Sequence, residues 1–106
     1  NLEASEAVAP SQRLAVFRVF QEAMTNGIRH GGATRFAVKL TASKNRLRLR
    51  VEDNGNGLPL TGATEGFGII GMSERAHALG GSLEVSARRQ GGTAVTLKLP
   101  CVDCAR

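Results

Sequence analysis

Residues 51–71 read Val-Glu-Asp-Asn-Gly-Asn-Gly-Leu-Pro-Leu-Thr-Gly-Ala-Thr-Glu-Gly-Phe-Gly-Ile-Ile-Gly. An apolar strand end runs into Asp53-Asn54-Gly55-Asn56-Gly57, then a Gly-, Pro- and Thr-rich stretch, then Gly66-Phe67-Gly68-Ile69-Ile70-Gly71. The middle of it, over 54–68, is too long for a hairpin turn and too polar for a core element, so it reads as a functional loop. The glycines after it open a helix, where unpaired backbone N–H groups and the positive end of the dipole suit phosphate.

Working outward, Phe36, Val38 and Leu40 alternate with polar or small residues, and after 43–45 the alternation resumes as Leu47, Leu49 and Val51, predicting a β-hairpin. Upstream, Leu14, Phe17, Phe20, Ala23, Met24 and Ile28 recur at three- and four-residue steps, predicting an amphipathic helix over 11–30 with Ser11 as N-cap and Gly31-Gly32 as its stop. Downstream, a second helix is expected over 70–79, ended by Gly80-Gly81, and then strands over 83–87 and 94–99 joined at Gly91-Gly92. The order helix, two strands, loop, helix, two strands predicts an α+β two-layer sandwich, with helices on one face of a mostly antiparallel sheet.

The chain has 106 residues, 42% hydrophobic, enough for one compact core. Residues 1–100 are read as one domain, 1–10 as flanking and 101–106 as a C-terminal tail. No apolar run nears the roughly 18 residues that span a bilayer, and no signal-peptide pattern opens the chain. The start at Asn1 without Met is expected of a piece of a longer protein. Cys101 and Cys104 form a Cys-x-x-Cys pair without a second ligand pair, and His30 and His77 hold no ligand spacing to them, so neither zinc nor redox chemistry is expected there. Such sparse cysteine fits a reducing cytoplasm. A net charge of +5 and a pI near 10.2 favour anionic partners without choosing among them. Arg46, Arg48 and Arg50 read as the solvent face of a strand rather than a polyanion-binding stripe.

The Gly-x-Gly-x-x-Gly run at Gly66 does not behave as a dinucleotide fingerprint. Its first glycine should follow a strand directly, yet the strand ends near Asp53, and the acidic residue available, Glu84, lies inside a strand. No Walker Gly-Lys-Ser/Thr or protein-kinase Val-Ala-Ile-Lys, His-Arg-Asp or Asp-Phe-Gly element is present either. In the first helix Glu22, Asn26 and His30 are spaced by four and share one face.

Together these clusters resemble a known family. Phe20-Gln21-Glu22-Ala23-Met24-Thr25-Asn26 through His30 resembles the N box of the GHKL superfamily of gyrase, heat-shock chaperone, histidine kinase and MutL ATPases, 53–57 its first glycine box, and 66–71 its second. The wording Gln-Glu-Ala-x-Thr-Asn-x-x-x-His and Gly-x-Gly-Ile-x-Gly-Met-x-Glu-Arg is similar to the nitrate-sensor and hexose-phosphate-sensor class of sensor histidine kinases, with the resemblance running over 14–100. Gly27 and Gly31 depart from good helix formers, at about 1 kcal/mol each for an interior glycine.

The resemblance implies the Bergerat fold of that superfamily and ATP with Mg2+ as cofactors. Asn26 would coordinate the magnesium ion, and Glu22 would hold its water shell or orient the reacting groups. Asp53 would accept a hydrogen bond from the adenine amino group, as an acceptor-only carboxylate can. Gly55 and Gly57 would make room for the base, residues 58–67 would form the ATP lid, and Gly66, Gly68 and Gly71 would line the phosphates. Thr93 would stand near the adenine, and His30 is left with two roles, lining the site or ending the helix. The implied function is that of the catalytic domain of a histidine protein kinase in a two-component phosphorelay. Its partners would be a dimerisation domain bearing the phosphorylated histidine and a downstream response regulator, with no nucleic acid and no direct membrane contact. The domain would be cytoplasmic, whether or not its parent is anchored in the inner membrane. The alternatives are an anti-sigma-factor type GHKL serine kinase, against which Gly71-Met72-x-Glu74-Arg75 argues, and a non-catalytic basic nucleic-acid module using Arg46, Arg48, Arg50, Arg88 and Arg89.

Overall fold

The computed structural model describes residues 7–43, 45–57 and 68–101. They form α1 (Pro10–Arg29), β1 (Phe36–Ser43), β2 (Arg46–Asp53), α2 (Ile69–Ala78), β3 (Ser82–Ala87) and β4 (Thr93–Pro100). The four strands make one sheet in the order β1-β2-β4-β3, with every neighbouring pair antiparallel. Two hairpins, β1-β2 and β3-β4, are thus joined edge to edge along β2 and β4. The α+β sandwich expected from the sequence is the one observed.

Side-chain alternation sorts the central strands into two faces. Leu47, Leu49 and Val51 of β2 and Val95, Leu97 and Leu99 of β4 are buried in the core. Val19 and Ala23 of α1 and Met72 and Ala76 of α2 close over them. Both helices lie on this side, and no described helix packs on the opposite face, where Ala94 and Thr96 of β4 are nonetheless buried, Thr96 beneath the Arg50 guanidinium. Arg46 and Arg48 stand exposed on that face, and Arg50 is half-buried there.

Helix α1 begins one turn position earlier than its sequence suggests. Pro10 occupies the first turn, where its missing N–H costs nothing, and Ala9 is the N-cap in place of Ser11. The cap is supplied by Gln12, whose Oε1 accepts the Ala9 N–H at 3.1 Å while its Nε2 donates to the Pro100 carbonyl at 2.6 Å. A buried glutamine therefore ties the start of α1 to the end of β4. The helix is also rotated from the expected phase: Gln12, Ala15, Val19, Ala23, Asn26 and Gly27 are its buried residues, whereas Leu14, Phe17 and Ile28 are exposed.

Cys101, assigned to the tail from sequence, is 4% exposed, and its N–H bonds the Asn45 carbonyl at 2.8 Å. Cys101 thus follows β4 directly and closes over the β1-β2 turn, where Asn45 adopts φ 68°. No described helix is long and apolar enough to cross a membrane.

Candidate nucleotide-binding site

The C-terminal half of α1, the end of β2 and the start of β4 converge at one end of the sandwich. Ala23, Asn26, Gly31, Asp53, Gly57, Thr93 and Val95 line a narrow pocket there. The pocket gathers residues far apart in sequence because β2 and β4 are antiparallel neighbours, with Glu52 opposite Ala94, which brings Asp53 beside Thr93.

Asp53 is buried, and both of its hydrogen bonds fall on one oxygen. Oδ1 accepts the Gly55 N–H at 2.9 Å and the Thr93 N–H at 3.3 Å. Oδ2 receives no donor among the described residues and faces Gly27, where an added Cβ would come within 3.2 Å of it. The carboxylate is thus fixed through one oxygen, Oδ1. The strand end is held from behind: Arg88 donates from one guanidinium nitrogen to the Asp53 carbonyl at 2.7 Å and pairs through Nε with Glu52 at 3.2 Å. Asn54 accepts the N–H groups of Thr34 and Arg35, each at 2.9 Å, and so anchors the turn to the segment entering β1.

The glycines have a steric explanation in this geometry. A Cβ on Gly55 would sit 2.6 Å from the Gly31 carbonyl oxygen, where Asn56 N–H already bonds at 2.8 Å, so the loop and the end of α1 touch backbone to backbone. Gly27 abuts Phe36, whose Cε1 would lie 2.6 Å from an added Cβ. The two departures from good helix formers, Gly27 and Gly31, thus allow α1 to lie against the Asp53 loop. Gly68, the N-cap of α2, has φ 72° and would place a Cβ 2.7 Å from Glu22 Oε2. The Glu22 carboxylate therefore rests on the start of α2, and the first helix meets the second glycine cluster.

Of the residues singled out from sequence, Asn26, Asp53, Gly57 and Thr93 share the pocket wall, Gly55 buttresses it, and Glu22 touches Gly68. His30 is exposed and caps the C-terminus of α1, its N–H bonded to the Asn26 carbonyl at 3.0 Å; it is not among the pocket's lining residues. Gly71 is exposed, with nothing within 4 Å of an added Cβ. Gly66 and the lid expected over 58–67 lie outside the described residues. Arg88 and Asn54 were not found as site-supporting residues from sequence, since an arginine after a strand and an asparagine in a turn carry no local mark of what they hold.

Residues 11–103 match the family described as histidine kinase-, DNA gyrase B-, and HSP90-like ATPase. The chain belongs to this family. Among curated relatives, it is 42% identical over 94 residues to the signal transduction histidine-protein kinase/phosphatase UhpB of Salmonella typhimurium, covering 89% of this chain and 18% of the relative. It is 40% identical to the sensor histidine kinase YxjM of Bacillus subtilis, covering 90% of this chain and 23% of that one. The solved ATP-binding domain of PrrB from Mycobacterium tuberculosis superposes with a TM-score of 0.68 at 28% identity, covering 86% of this chain and 67% of that one. The chain spans about a fifth of the length of those two relatives. As a member of this ATPase family it is an ATP-binding domain, and the pocket between α1, β2 and β4 is where the helix residues Ala23 and Asn26 meet the Asp53–Gly57 cluster.

Proposed function

We propose that this domain binds Mg-ATP and presents its γ-phosphoryl group to a histidine on a separate dimerisation domain of the same kinase, for relay to a response regulator. The observation that supports this most is the convergence of Asn26, Asp53, Gly57 and Thr93 on one pocket, with Glu22 against the N-terminus of α2. The donor set fits the group. Asp53 Oδ2 is an acceptor matched to an exocyclic amine, while the Asn26 and Glu22 oxygens suit a hard cation that keeps several of its waters. When bound, Mg-ATP would supply the transferable phosphoryl group and a cation to offset its charge.

The chain's own contribution is positioning and electrostatics, the main catalytic levers in phosphoryl transfer. Asp53 orients the base and the main chain near Gly31, Gly55 and Gly57 sets how closely it enters. Asn26 and Glu22 would hold the metal side, and the backbone at Gly68 and Gly71, at the positive end of α2, would line the phosphates. His30 ends the helix that carries Asn26. A partner domain is further supported by Leu14, Phe17, Ile28 and Ile70, exposed apolar residues of the helical layer that a docking surface would cover. A domain that draws on ATP would work in the cytoplasm, whether or not its parent is anchored in the inner membrane. The testing experiment is a calorimetric titration with ATP, with and without magnesium. Saturable binding that tightens when magnesium is added is expected, and no heat at high micromolar ATP in either condition would end this reading.

A further inference from the structure

The helix-free face of the sheet carries charge that the nucleotide pocket does not use. Across the strands, Thr41, Arg48 and Lys98 form one row of this face, and Ser43, Arg46 and Pro100 form the next. Nearer the pocket the charge is partly offset, because Glu52 pairs with both Arg50 at 3.1 Å and Arg88 at 3.2 Å. At the far end Arg46, Arg48 and Lys98 make no ion pair among the described residues. Arg46 is seven residues along β2 from Asp53, roughly 23 Å at ~3.3 Å per residue, so this end is remote from the nucleotide.

Arg48 and Lys98 are direct cross-strand partners. Like charges placed so are destabilising, and a threonine at either position would keep the strand without that cost. The unfavourable pair is therefore explained if an anion sits over it. The surface has the shape for one: Thr41, Ser43, Arg46, Arg48 and Lys98 line a concavity of about 440 Å³, and a second of about 530 Å³ shares Arg46 and Lys98.

We propose that this end of the open face docks an extended acidic protein segment with carboxylates at alternate residues. Arg46 and Arg48 project from one strand face at a two-residue step, about 6.7 Å, which is also the spacing of alternate side chains in an extended peptide. Arginine forks donate paired hydrogen bonds to carboxylates, and the Thr41 and Ser43 hydroxyls opposite Arg48 and Arg46 add donors. A single-stranded nucleic acid is disfavoured because no described phenylalanine lies here: Phe17 and Phe20 are on α1, and Phe36 is on the helix-covered side of β1. An anionic bilayer is disfavoured because the rows offer no large apolar side chain to insert.

The probe is a short fluorescent peptide of alternating Glu and Thr, titrated with this chain at low salt and again with added salt. Duplex DNA and vesicles rich in phosphatidylserine serve as competing probes. Peptide binding that weakens with salt, and weakens roughly tenfold or more in the Arg48→Glu/Lys98→Glu variant while ATP affinity stays unchanged, is the expected result. Retained ATP affinity also reports that the variant is folded. The milder Arg48→Thr should lower peptide affinity yet raise the melting temperature of the free chain, since it relieves the like-charge pair. Equal peptide affinity in the variants, no peptide binding at low salt, or tighter binding of DNA or vesicles than of peptide would each overturn the assignment.

Discussion

Asp53 reaches the pocket as a half-used carboxylate, with Oδ1 fixed by the N–H groups of Gly55 and Thr93 and Oδ2 without a donor among the described residues. An asparagine there keeps the fixed oxygen and turns the other position into an N–H donor, which opposes an amino group instead of receiving it. Asp53→Asn should therefore weaken ATP binding by roughly ten- to hundredfold with little loss of stability, consistent with ~1.5–3 kcal/mol for a hydrogen bond to a charged group. Calorimetry and thermal melting of the same sample separate the two effects, and unchanged affinity would remove Asp53 from the base-binding role. At this scale the sequence was informative where the residue's own chemistry marks it. An acceptor-only carboxylate before Asn-Gly-Asn-Gly stands out, but Arg88, which holds the Asp53 carbonyl at 2.7 Å from another hairpin, cannot be read without the strand register. Gly27 was visible only as a poor helix former, and Gly31 as that and as a helix stop. Their reason is the approach of Phe36, Asp53 and Gly55, which is tertiary.

Elements were legible because two periodicities, near two and near 3.6, repeat along the chain. The strands fall within a residue or two of their expected bounds, and α2 occupies Ile69–Ala78 against an expected 70–79. The buried face of α1 was not legible. Large apolar side chains occupy more than one side of this helix, and the side that meets the sheet is the one with small residues, Ala15, Ala23 and Gly27, because these let the backbone approach closely. Phe20 and Met24 reach the core from the flank, and Leu14, Phe17 and Ile28 are left outside. The cap was likewise hidden, since Gln12 resembles any polar residue near a helix start, while its second bond is to Pro100, 88 positions away. Gln12→Ala removes a bond at each end and leaves the Ala9 N–H and the Pro100 carbonyl with one partner fewer. Urea unfolding should show a loss of ~1–3 kcal/mol, with ATP affinity at saturating folded protein unchanged. A loss of ATP binding without loss of stability would mean that Gln12 acts on the pocket rather than on the junction.

At the scale of the whole molecule, the helices and the sheet divide the domain into a pocket end and a helix-free face that is basic at its far end, and on the proposed reading neither offers a histidine placed to receive phosphate. Transfer requires the acceptor nitrogen in line behind the γ-phosphoryl group, within about 3–3.5 Å of it. His30 follows α1 directly after Arg29, and its backbone N–H is bonded to the carbonyl of Asn26, the residue that would hold the metal side. A rigid helix end cannot bring its imidazole around while Asn26 keeps its place in the pocket wall. His77 lies in the last turn of α2, eight residues after Ile69, so roughly 12 Å of helix separates it from the end where phosphate would sit. The isolated chain should therefore bind ATP and yet accumulate little or no stable phosphohistidine when incubated with radiolabelled nucleotide. Mixing it with a dimerisation domain from the same parent protein should place acid-labile phosphate on that second domain. His30→Gln and His77→Gln should leave this transfer within about threefold of the unmodified chain, provided ATP affinity is retained, a difference well under 1.4 kcal/mol. Stoichiometric label on His30 or His77 in the isolated chain, located by peptide mapping, would show that the acceptor lies within this domain and that the division into presenting and receiving domains is wrong.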